Sequence, residues 1–290
     1  MSDPVVLEPA VWTAREQRHV ERVDEFVAPH QERSRRGEAH PVWDFLFTYY
    51  SLKPRQLRRW HPGFGAALAG SEARSFLERP GYGLRGSVVG VTREYLSARV
   101  ETVAYLARLL RATANRPARM NCFGLHEWAM VYGAPEVRHA QVPLRLGSGG
   151  TDAVVESMPL RCSHFDAYRF FTPRAVHRNA EPLSRAGQVA TEQPGCIHAN
   201  MDLYRAGYKL GPLVSSELLV DCLELAADAR ELDMRASPYD LSGLGFAPIA
   251  IETQAGRAAY VRAQQDIADR AAPLRAALAD TCDELLGSTE

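Results

Sequence analysis

From Ile197 onward the spacing of apolar residues predicts three helices. Ile197 to Leu210 is amphipathic at helical period and is stopped by Gly211-Pro212. Ser215 or Ser216 can cap a second helix that runs to about Leu232, with Leu218, Leu219, Cys222, Leu225 and Ala226 along one side. A third covers Gly256 to about Leu286, and Arg93 to Ala114 repeats the pattern with Leu96, Val100, Val103, Ala107 and Leu110. A chain built this way is mainly α, and the predicted class is α+β with one small sheet.

The N-terminal stretch from Thr13 to Glu38 reads as a charged helix with a thin apolar stripe of Val20, Val23, Phe26 and Val27. It is expected to cover the core from outside, residues 1–40 forming this cover and residues 41–290 a single mainly helical catalytic domain. The sheet is expected around residues 141–171, where Leu144-Arg145-Leu146 and Ala153-Val154-Val155 flank Gly147-Ser148-Gly149-Gly150. That would be a small antiparallel sheet or hairpin carrying His164 and Asp166 on one strand face. Residues 249–253 would add a strand or lead into the last helix, and residues 173–195 form a polar excursion, either a lid or an ordinary loop. The glycine run at 147–150 has neither the GxxxxGK(S/T) nor the GxGxxG spacing, so it reads as a turn and indicates no nucleotide cofactor.

Charge excludes some function classes. The 290 residues carry a formal net charge of -1, which lacks the electrostatic footprint of a protein living on nucleic acid; DNA as a partner draws no support from it. Only Lys53 and Lys209 among the 34 basic residues are lysines. No window approaches eighteen uninterrupted apolar residues and no secretory leader is visible, so a membrane partner is not expected and the expected location is cytoplasmic. Five cysteines without a paired framework imply reduced thiols.

Chemistry is concentrated in three short stretches: Cys122-x3-His126-Glu127, Cys162-x-His164-x-Asp166 and Cys196-x-His198-x-Asn200-x-Asp202. His198 and Asp202, four apart, project from one face of a helix and could share an ion. His126, His164 and His198 with Asp166 or Asp202 would make a site suited to iron or zinc, with a position open for water or substrate. Glu127 follows His126 directly, so at most one of the two is expected in the same pocket. Without a metal, the same His and Asp groups would do acid/base work, with Glu127, Asp166, Asp202 and Tyr204 as candidate catalytic residues. The cysteines are expected to pack behind the site.

Two further clusters are candidate contacts for a small-molecule substrate. The aromatic run containing Asp44, Tyr49 and Tyr50, with Trp60 after it, reads either as buried core or as a wall for a flat ligand. Arg235 and Tyr239 would suit an anion or a heterocycle, or else belong to a loop held by its own hydrogen bonds. His61, between Trp60 and Pro62, is the best of the remaining histidines for a pocket role.

The phrases HPVWDFLFTYYSLKP, RRWHPG, CFGLHEWAMVY, CSHFDAYRFFTP, PGCIHANMDLYRAGYKL and DMRASPYDL resemble a family of bacterial proteins, common in actinobacteria, described as 3-methyladenine DNA glycosylases. The likeness runs from about residue 40 to residue 270. It implies hydrolysis of the N-glycosidic bond of alkylated bases, with Asp166, Asp202 or Glu127 positioning water or stabilising the cationic sugar. The chain has no LPGxG helix-hairpin-helix signature. Three readings therefore stand: an enzyme acting on a small, nitrogen-heterocyclic substrate at a His/carboxylate site, a glycosylase, and a non-enzymatic ligand-binding protein.

Overall fold

A computed structural model describes residues 4–134 and 142–289. It is mainly α, with one small sheet. Two compact units are each assembled from separated segments: Met1–Leu110, Leu203–Glu224 and Leu274–Glu290 form the first, Arg111–Asp202 and Leu225–Pro273 the second.

The first unit opens with strand β1 (Val5–Leu7) and helix α1 (Pro9–Arg35), whose proline stands in the first turn, where no intrahelical N–H is needed. α1 buries Trp12, His19, Val23 and Val27. Trp12 Nε1 donates to the Ala69 carbonyl at 3.0 Å, and the His19 ring meets the Leu57 carbonyl at 2.8 Å. On its other side Arg22 is paired with Asp221 and Glu224. β1 pairs in parallel with β2 (Ala66–Leu68); β2 and β3 (Tyr82–Arg85) both pair antiparallel with β4 (Val88–Val91), giving the order β1-β2-β4-β3. Trp60 is fully buried, its indole N–H donating to Glu217 at 3.0 Å. The helix expected over Arg93–Ala114 is interrupted: a short helix, Arg93–Ser97, ends before α2 (Val100–Ala114) begins.

Short helices dominate the second unit: α3 (Leu125–Ala129), α4 (Gly147–Ser157) and the single turn α5 (Phe165–Tyr168). To these are added the first residues of α6 (Ile197–Leu210), the last part of α7 (Ser216–Arg235) and the first part of α8 (Gln254–Gly287). Among the described residues no helix is long and apolar enough to cross a membrane.

The class is as expected, but the sheet stands elsewhere and is mixed rather than antiparallel. Residues 147–157, expected in a hairpin, are helical. Thr151, Val154 and Val155 are the buried positions of α4, an i, i+3, i+4 spacing, and the Thr151 hydroxyl donates to the Gly147 carbonyl. The β-branched pair beside a glycine run suggested strand, whereas burial of one helical stripe decided the outcome. Only isolated bridges, Leu144 with Tyr239 and Leu160 with Asn179, appear near the expected site. His164 and Asp166 therefore share no strand: His164 precedes α5 and Asp166 lies within it. Residues 249–253 form a loop with a turn at 251–252 rather than a strand. Pro135, His139 and Gln141 lie outside the described residues.

Candidate metal centre

All three histidine motifs belong to the second unit. The first is aimed by an unusual corner. Phe123 and Gly124 both have positive φ, 52° and 71°, and the chain then enters α3. A Cβ on Gly124 would stand 3.2 Å from that of Ala236, so only glycine fits the corner without a shift. For a phenylalanine such a backbone costs roughly 1–2 kcal/mol.

That corner delivers His126 and Glu127 into the interior together, 2% and 6% exposed. His126 Nε2 lies 2.6 Å from Asp233 Oδ1. One guanidinium nitrogen of Arg230 donates to Glu127 at 3.0 Å and to the second oxygen of Asp233 at 2.9 Å. Burial opposes ionisation of both Asp233 and His126. Their mutual attraction overrides it, with help from Arg230 on the acid, so the Asp233 carboxyl titrates below its usual range and the imidazole well above. Two buried cations and two buried anions thus balance, and both oxygens of Asp233 are committed. His198 stands beside this quartet, its ring 4.3 Å from that of His126. Burial and the neighbouring His126 charge push its pKa well below the ordinary value, leaving a neutral imidazole with a lone pair.

The second group lies beyond His198, whose ring is also stacked 5.5 Å from that of His164. His164 has no exposure. Its Nδ1 is 3.0 Å from Glu192 and its Nε2 is 3.6 Å from Asp202, yet neither nitrogen has an aligned hydrogen bond. Burial pulls its pKa down, but Glu192 and Asp202 more than restore it. Gln188 donates to Glu192, and Asp166 is held by both terminal nitrogens of Arg185.

His126, His198 and Asp233, and separately His164, Asp166 and Asp202, are each close enough to hold a metal ion. Metal–ligand bonds of about 2.0–2.2 Å put two donors on one tetrahedral ion roughly 3.3–3.6 Å apart. The His164 Nε2–Asp202 separation meets this, and Glu192 stands where an outer carboxylate orients a ligating imidazole through its other nitrogen. In the first group Arg230 and the His126 proton already take the coordinating atoms. In the second group Arg185 takes both oxygens of Asp166, which leaves His164 and Asp202 as the pair of donors at ligand-like spacing.

The cysteines are less prominent. Burial raises the Cys162 thiol pKa well above its ordinary value and pushes that of Cys196 up to about 12, keeping both protonated. Cys122 Sγ lies 3.9 Å from His126 Nδ1.

The other sequence candidates fall as follows. Asp44 is consumed locally, accepting from His30 at 2.8 Å, Arg33 at 2.7 Å and the His40 N–H. Tyr49 stacks on Phe45, and Tyr50 meets Tyr204 edge-on at 5.3 Å; with Trp60 and Asp44 they belong to the first unit. Tyr204 is fully buried there. Arg235 bonds to the Ala247 carbonyl and Glu231, and Tyr239 is buried against the Leu144 bridge, a loop closed on itself. Sequence reasoning missed Glu192, Arg185, Arg230 and Asp233. The last two carried a signal: in α7 they occupy the stripe of Ala226 and Ala229, where helical period calls for apolar residues.

Ser163 and Gln193, chain neighbours of His164 and Glu192, line a cavity of about 290 Å³ together with Arg116, Arg119 and Arg161. No family model, curated protein or solved structure matches this chain.

Proposed function

We propose that this protein is a metal-dependent enzyme acting on a small substrate, with His164 and Asp202 binding iron or zinc, Glu192 orienting His164, and the Arg185-bound Asp166 beside them. One observation carries the reading: a histidine with no exposure, both ring nitrogens lacking an aligned hydrogen bond, surrounded by carboxylates at ligand-like separations. Buried polar atoms are rarely left so, because each costs about 1–3 kcal/mol. Mixed imidazole and carboxylate donors suit iron or zinc. Such an ion supplies a Lewis acid and an acidified water.

The protein's own groups divide the remaining work. Neutral His198, stacked on His164, separates the two charged groups without adding charge of its own. Arg185 offsets the charge of Asp166. The quartet of His126, Glu127, Arg230 and Asp233 holds the far side rigid and dry. Arg116 is fixed by the carbonyls of Val189 and Glu192, so the adjoining cavity presents cationic edges to a polar or anionic substrate.

The test is elemental analysis of untagged protein beside His164→Ala and His126→Gln. About one equivalent of iron or zinc, lost in His164→Ala and kept in His126→Gln, is the expected result. Absence of metal after gentle, oxygen-free purification overturns it; base release from alkylated DNA then becomes the assay of choice for the same carboxylates.

A further inference from the structure

A cavity of the first unit, about 530 Å³, is lined by Arg59, Arg79, Arg99, Lys209, His61 and Tyr208 together with Leu57 and Pro212. We propose that it binds a small phosphate-bearing organic anion. The argument begins with charge. The chain holds 34 basic and 35 acidic residues, so a lining drawn evenly would carry both signs. This one has four cations, and none of its lining residues is Asp or Glu.

The cations are also arranged. Arg79 is anchored through the Trp60 carbonyl at 2.8 Å and leans on Glu16 at 3.3 Å. Arg99 donates to the Lys209 carbonyl at 3.2 Å, and its guanidinium lies 4.6 Å from the centre of the Tyr95 ring. Tyr95 in turn presses so closely on Gly81 that a Cβ there would come within 2.6 Å of the ring. Tyr208 is tied to Gln56 at 3.0 Å. Arg59 makes no ion pair with any described residue, so it keeps a full complement of donors for a ligand. Arg59 and Arg99 stand without a carboxylate partner among the described residues, as an anion site requires, and guanidinium forks match phosphate oxygens in pairs. The volume falls in the range of small-molecule sites, larger than a bare inorganic ion needs. Every lining residue belongs to the first unit, so the inference is independent of the metal reading.

The test is calorimetric titration of the full chain, dialysed free of divalent ions, with inorganic pyrophosphate, then with citrate and a short DNA duplex as competitors. Saturable submillimolar pyrophosphate binding is expected, weakened at least tenfold in Arg59→Ala and in Arg99→Ala. Arg74→Ala, at an exposed arginine outside the cavity, should bind unchanged. Far-ultraviolet circular dichroism and melting confirm the fold of each variant; Arg59→Gln replaces any that fails. Absence of saturable binding, or equal binding in all variants, overturns the proposal. Stronger binding of citrate overturns the phosphate assignment, and stronger binding of duplex DNA overturns the small-molecule assignment.

Discussion

His126 and Asp233, 107 residues apart in sequence, meet through a 2.6 Å contact in a fully buried setting where Arg230 and Glu127 complete the charge balance. Breaking one member of such a set strands the others. Asp233→Asn leaves two buried cations facing one carboxylate and should lower stability by about 3–5 kcal/mol, read from the urea midpoint at unchanged m-value. A loss below about 1 kcal/mol would show that the quartet is not a structural unit.

Glu192→Gln tests orientation rather than ligation. The amide keeps the shape and the contact with Gln188, but it cannot hold an N–H of His164 as a carboxylate does. Metal affinity, measured by chelator competition, should fall about 10–100-fold with stoichiometry retained. Complete loss of metal would make Glu192 a ligand instead.

Acid stability should register His61. Burial, then the charges of Arg79, His19 and Arg59, bring its pKa down to about 3, while Nδ1 engages the Tyr82 hydroxyl at 2.9 Å. The folded state refuses a proton that the unfolded chain accepts near pH 6.5, so this contribution is complete above that value and is lost as pH falls toward 3. Between pH 6.5 and 5 the loss is about 2 kcal/mol. His61→Gln should flatten that limb relative to the parent protein in denaturant titrations at each pH; parallel curves would refute the assignment.

Trp60 is a core residue in this structure, fully enclosed, edge-on to Phe76 and bonded to Glu217. Trp60→Ala should cost about 3–5 kcal/mol while leaving metal content unchanged. A variant of normal stability that bound metal poorly would return Trp60 to the list of site residues.

The helices were legible because their apolar spacing is regular: the boundaries of Ile197–Leu210 and the stop at Gly211-Pro212 appear where the residues put them. His164, His198 and Asp202 were visible as chemistry but not as geometry. Helical spacing sets His198 and Asp202 on one face, yet His198 associates with Asp233 and Asp202 with His164. Asp233 and Glu192 escaped notice because each sits far along the chain from the histidine it serves, and pairwise tertiary contacts leave no local pattern. The sheet was misplaced because a short β-branched run is ambiguous until its burial is known.

The two compact units have a consequence for synthesis. The segments of the second unit are all made once Pro273 has been added, whereas the first unit, which holds the N-terminus, still lacks Leu274–Glu290. On a ribosome the first unit is therefore completed after the second, although α1 finds partners for Trp12 and His19 at Ala69, Phe76 and Leu57 early in synthesis. No single cut of the polypeptide releases either unit whole.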